Sequence, residues 1–169
     1  MTLTPVQKAT LKTYIEANPT WMAYSHNADG ASQIAEDLQA IADPVFTVWR
    51  TSVSEDEYTA STSREATDWS WTEYISRSIG EKAGYERMFN TGSIDPSKPN
   101  IRQGFVDVFS GGQQAAVDQR DHMAAVSKRD ANLLEKLFAA GLGSTGSPGT
   151  MVIEGSLRYR DVLQAMGWQ

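Results

Sequence analysis

The chain has no cysteine, and that absence removes a disulfide framework, a thiolate nucleophile and every cysteine-based zinc site at once. Histidine is nearly as scarce. His26 and His122 are the only two, and neither falls in an HExxH or any other multi-histidine spacing. No apolar run approaches the roughly 18 residues that a membrane span needs. Residues 1–5 lack the basic-then-apolar order of a cleaved secretory leader, so neither a span nor a leader is expected. A cationic excess is missing too. The net charge is -6, and it is uneven: residues 1–94 hold seven basic against thirteen acidic side chains, residues 95–169 eight against eight. Tight nucleic-acid binding needs cations that displace phosphate counterions, and no basic stripe with interleaved aromatics offers them.

What is present is ordinary globular material. Hydrophobic residues make up 40% and charged residues 21% of 169, enough for one domain that buries roughly 70% of the surface of its unfolded chain. The pattern is mainly helical. Thr4-Pro5-Val6-Gln7 combines an N-cap, a proline at the first helical position and a capping box, and Leu11 and Ile15 follow on one face. Asn18-Pro19 ends that helix. Ile34, Leu38 and Ile41 have helical spacing until Asp43-Pro44. Residues 45–53 (VFTVWRTSV) favour an extended segment, with continuation of the helices as the other reading. Ser54-Glu55-Asp56-Glu57 and Ser70-Trp71-Thr72-Glu73 are two further capping boxes. From the second, Trp71, Ile75, Ile79, Ala83 and Phe89 are expected to line one buried face. The polar stretch 59–67 between them is expected to be exposed.

Ile101, Phe105 and Val108 define a short helix beyond a proline-punctuated turn at 95–100, ended by Ser110-Gly111-Gly112. Residues 113–140 contain neither glycine nor proline, and predict one long helix of about 42 Å at 1.5 Å per residue. Gly141 suits its left-handed cap. The expected architecture is therefore a compact helical domain over 1–140, followed by a Gly-rich linker, an extended arm or hairpin and a short closing segment over 141–169, too short to fold alone.

Candidate chemistry is thin. Gly141-Leu142-Gly143-Ser144-Thr145-Gly146 spells GxGxxG, but it follows a helix and leads to a proline, whereas a dinucleotide fingerprint leaves a strand and opens a helix. Asp118 precedes His122 by one helical turn, and such a pair on a helix reads as a solvated surface contact. Asn27-Ala28-Asp29-Gly30 resembles the start of a calcium loop, yet Leu38 stands where the bidentate glutamate belongs. A helix N-terminus accounts for Glu55-Asp56-Glu57. Trp69 and Trp71, without basic neighbours, read as core or interface. No catalytic, cofactor-binding or metal-binding residue is expected. The residues expected to act are Met151, Val152, Ile153, Leu157 and Tyr159, an apolar arm on a glycine tether that either packs on its own domain or augments a neighbouring subunit.

Residues 46–53 (FTVWRTSV), 95–102 (DPSKPNIR) and 141–155 (GLGSTGSPGTMVIEG), with 156–162 (SLRYRDV), resemble proteins of the virion structural module of tailed bacteriophages. In size and helical content the chain is similar to head-tail adaptor (connector) proteins. The resemblance implies a structural, non-enzymatic protein of the virion. It would be a homo-oligomeric ring that contacts the portal protein and tail or other connector proteins, with DNA passing non-specifically through its channel and no membrane involved. Another virion position, as a tail-tube, tail-completion or capsid-stabilising subunit, is the alternative, and a small phage enzyme or host-directed regulator comes third. The helical excess disfavours the β-sandwich subunits common in tail tubes.

Overall fold

The structure, a computed structural model, describes residues 3–60 and 68–168. Most of the polar stretch expected to be exposed, residues 61–67, lies outside the described residues. Those described are mainly α-helical. In chain order they form α1 (Pro5–Glu16), α2 (Pro19–Met22), α3 (Ala28–Asp37), β1 (Thr47–Trp49), β2 (Val53–Ser54), α4 (Glu55–Ala60) and α5 (Trp71–Ser76). There follow α6 (Ile79–Met88), β3 (Ser93–Ile94), α7 (Pro99–Val108), α8 (Gln114–Val126), β4 (Lys128–Asp130), α9 (Leu133–Phe138) and α10 (Tyr159–Met166). β1 pairs with β4, and β2 pairs antiparallel with β3 in the register Val53 to Ile94.

The chain divides into two compact units, Met1–Thr47 with Asp130–Gln169, and Val48–Arg129. The expected division at residue 140 gives way to one in which both ends of the chain build the same unit.

In the first unit the capping box of α1 forms as expected, with Thr4 N donating to Gln7 Oε1 at 2.8 Å and Gln7 N to Thr4 Oγ1 at 3.3 Å. Asn18 then caps α2. Leu11 and Ile15 of α1, Ile34 of α3, Leu38, Leu134 of α9 and Val162 of α10 are fully buried together, each worth about 1.5–3 kcal/mol against exposure. α10 packs on α3 and α1. Ile41, expected on the same face as Ile34 and Leu38, is exposed, because α3 ends at Asp37 and Ile41 instead bridges to Asn132.

The Gly-rich segment is shaped by one ring. Thr47 N donates to Gly143 O at 2.7 Å and Gly149 N to Thr47 O at 2.9 Å, while Ala140 and Thr150 exchange both backbone hydrogen bonds. Residues 141–149 thus form a closed loop around Phe46. A Cβ on Gly143 would overlap that ring, and one on Gly149 would lie 2.6 Å from Phe46 Cε1. The glycines permit this approach, and Gly143 also holds φ at +67°.

The second unit has an aromatic core of Tyr58, Trp69, Tyr85, Phe89, Phe105 and Phe109, with Val53 and Ile94 from the small sheet. Neighbouring rings meet edge-on or tilted, with Tyr58 and Phe89 centroids 5.6 Å apart and Trp69 and Tyr85 5.5 Å apart. Ser127 Oγ donates to Met123 O at 2.7 Å, so its proton is committed, and the Tyr58 hydroxyl must donate to Ser127 Oγ at 2.7 Å. Burial pushes the Tyr58 phenol well above its ordinary value.

Two expected helices are broken. The one predicted over 113–140 is α8, β4 and α9. Ser127 caps α8 and its carbonyl accepts from Arg50 N at 2.9 Å, strand pairing takes residues 128–130, and Asn132 opens a new capping box with Glu135. A run free of glycine and proline therefore permits a helix without imposing one. The helix predicted from Ser70 stops at Ser76, where Arg77 turns to ψ 150° and Ser78 with Glu81 caps α6. Within the segment 45–53 the extended parts are β1 and the first residue of β2.

Gly143→Ala is expected to lower stability by about 1–3 kcal/mol through overpacking on Phe46. Gly146→Ala, where an added Cβ meets nothing within 4 Å, should stay within about 0.5 kcal/mol of the parent. Denaturant unfolding followed by circular dichroism reads both, and equal midpoints for the two variants would contradict the Phe46 packing.

Candidate interaction surfaces

The five arm residues separate into two groups. Ile153 and Leu157 are buried in the core of the first unit, against the cluster that holds Leu11, Ile34 and Leu134. Val152, at 66% exposed, and Tyr159, at 37%, face outward, and Met151 is half-buried. The insertion is fixed by polar contacts at the first turn of α9. Glu135 is buried, its Oε1 accepting from Gly155 N at 3.2 Å and its Oε2 from Asn132 N at 3.1 Å, while Asn132 Nδ2 donates to Gly155 O at 3.4 Å. The extended arm of the sequence reading is, in this chain, a turn seated on its own unit, whose outward apolar surface is Val152 and Tyr159. Arg160 lies over the Tyr159 ring and donates to its hydroxyl at 3.2 Å.

The remaining sequence candidates resolve into local structure. His122, expected on the surface beside Asp118, is completely buried, and its Nε2 lies 2.7 Å from Tyr58 O. A carbonyl only accepts, so Nε2 carries the proton. Asp118 is elsewhere, accepting from Gln114 Nε2 at 2.6 Å. The cause is the orientation of α8, which buries Ala116, Gln119, His122 and Met123. His26 stacks on Trp168, centroids 4.6 Å apart. Asn27 caps α3 by accepting from Asp29 N and Gly30 N, which explains the calcium-loop letters. Glu57 accepts from Ser54 N at 2.9 Å and pairs with Arg50, and these contacts, the Ser54 backbone bond first, hold its carboxyl below the usual range. The GxGxxG letters lie in the loop around Phe46. Among the described residues no group of three His, Cys, Asp or Glu side chains is arranged to hold a metal, and no helix is long and apolar enough to cross a membrane.

Among the described residues, apolar side chains are exposed on both units. On the second, Trp71 and Ile75 share a face of α5, and Ile79 lies in the first turn of α6. They are 54%, 68% and 85% exposed, a correction to the buried face expected for them, whereas Phe89 is buried. Trp69 is core, 5.6 Å from the Trp71 ring. A further capping box, Ser78 with Glu81, starts α6 afresh at Ile79, and its letters were present in the sequence. On the first unit, an open groove of about 530 Å³ runs beside Val6, Ala9, Thr13 and Tyr14 of α1, with Leu137 of α9 in its lining. No charged side chain lines it. Lys12 is turned to Glu16 and Lys8 to Gln164.

Against protein-family models, curated proteins and solved structures, the chain has no match.

Ile153→Ala is expected to cost about 2–4 kcal/mol, the usual loss for a buried aliphatic side chain, while Val152→Ser should leave stability within about 0.5 kcal/mol. Thermal or denaturant midpoints check the contrast. A neutral Ile153→Ala would mean that the segment is not seated in the core.

Proposed function

We propose that the protein is a structural subunit of a tailed-phage particle, a head-tail adaptor that assembles with copies of itself and with portal and tail proteins around the channel that DNA traverses. Its work is done by contact surfaces, and no residue is assigned to catalysis. The observation that carries the contact reading is the exposure of Trp71, Ile75 and Ile79 on a unit that already has a full aromatic core. Exposed apolar patches rimmed by polar residues mark protein interaction sites. Full burial of each of these side chains would contribute about 1.5–3 kcal/mol. The groove beside α1, and Val152 with Tyr159, are further surfaces of the same kind. The particular particle and position rest on the likeness of residues 46–53, 95–102 and 141–162 to virion structural-module proteins. The acidic balance suits a channel wall, because DNA must slide past it without being gripped.

Size-exclusion chromatography with light scattering, on the protein alone and mixed with portal or tail proteins of a tailed phage, tests this. The expected result is a multimer or a stable complex that Trp71→Ser combined with Ile75→Ser disrupts without loss of helicity. A strict monomer that binds neither partner would contradict the adaptor reading.

A further inference from the structure

Trp49 ends β1 with two cations against its ring. Arg102 Cζ lies 4.6 Å from the ring centroid and Lys128 Nζ 5.6 Å, and all three residues belong to the second unit. The sequence hides this cluster, since its members come from three separate stretches. Arg102 is fixed from α7: its Nη1 donates to Pro96 O at 2.6 Å and to Ser97 O at 2.8 Å. Among the described residues, its Nε and Nη2 have no hydrogen-bond partner and Lys128 Nζ has no carboxylate. Other cations of the same unit are paired, Arg50 by Glu57, Lys98 by Asp95 at 3.3 Å, and Arg77 by Glu73. Burial lowers the Arg102 guanidinium below its ordinary value, with no carboxylate acting in the other direction.

Two half-buried cations against one ring, with no carboxylate partner among the described residues, call for an anion, because a guanidinium edge with two free N–H groups matches a carboxylate bidentately. The spacing around one indole ring is within reach of about three extended residues. A nucleic acid fits less well. Phosphate backbones are bound by several cations along a track, the chain as a whole is at -6, and the Trp49 ring, the surface on which a base would stack, is already engaged by cations.

We propose that Arg102 and Lys128, set against Trp49, form a binding site for a carboxylate-bearing segment of a partner protein, one carboxylate on the free edge of Arg102 and a second on Lys128. The site stands independently of the virion reading. It gives an acidic protein a local point of opposite charge through which a second acidic protein can be oriented.

The test titrates the full chain with a blocked tetraglutamate peptide at low ionic strength by calorimetry. Saturable one-site binding that weakens with salt is expected. Lys128→Gln, which leaves the Pro96–Ser97 turn untouched, should weaken it about tenfold, as should Arg102→Lys, which keeps the charge and loses the bidentate edge. Circular dichroism confirms folding of each variant, and either one that folds suffices. Absence of saturable binding to the parent chain, or binding unchanged in the folded variants, overturns the proposal. So does tighter binding of a thymidine oligonucleotide with the same dependence on Lys128, which would make the site one for nucleic acid.

Discussion

The Glu135 carboxylate, buried in the first turn of α9, is the constraint on which the first unit depends. A buried charge is tolerated only when its oxygens are satisfied, and here Asn132 N and Gly155 N supply hydrogen bonds in the first helical turn, where a negative charge is favoured. One residue thereby fixes two things. It sets where α9 begins, after the strand that follows α8. It also holds Gly155, which lets Ile153 and Leu157 enter the core and places α10 against α3 and α1.

The loop around Phe46 supports the same arrangement. Gly143 and Gly149 approach the ring closely, and the Ala140–Thr150 bridge closes the loop. A segment that by composition reads as a tether is thus shaped by packing, and the residues beyond it belong to a core built from both ends of the chain. The second unit is organised differently, by aromatic packing with a buried polar strand through Tyr58, Ser127 and His122. In both units buried polar groups, Glu135 in the first and Tyr58 with Ser127 in the second, are bonded to backbone or to each other, and apolar side chains are also exposed on both.

Much of the fold was legible where local chemistry decides it. The capping letters at Thr4 and Ser70 place helix starts, Leu11, Ile15 and Ile34 mark a core face, and the β-branched run at 45–53 contains β1. What failed was set by contacts distant in sequence. Nothing local says that residues 128–130 pair with β1, that Gln119 and His122 point inward, or that glycines at 143 and 149 face Phe46. The break before α6 was legible, because Ser78 and Glu81 spell a capping box, but the apolar spacing of Trp71, Ile75 and Ile79 suggested an uninterrupted face. The Trp49 cluster was invisible for the reason that hides most sites, since Arg102 and Lys128 meet the ring only after folding.

The chain emerges as two helical units that present apolar surfaces outward, with the segment after Gly149 committed to its own unit. Amide hydrogen exchange on the isolated protein tests that commitment most directly. The Thr150 and Gly155 amides, which donate to Ala140 O and to Glu135, should exchange as slowly as core amides of α1 and α3. Exchange at free-peptide rates across residues 150–158, with α1 and α3 still protected, would show an unseated arm and contradict the account.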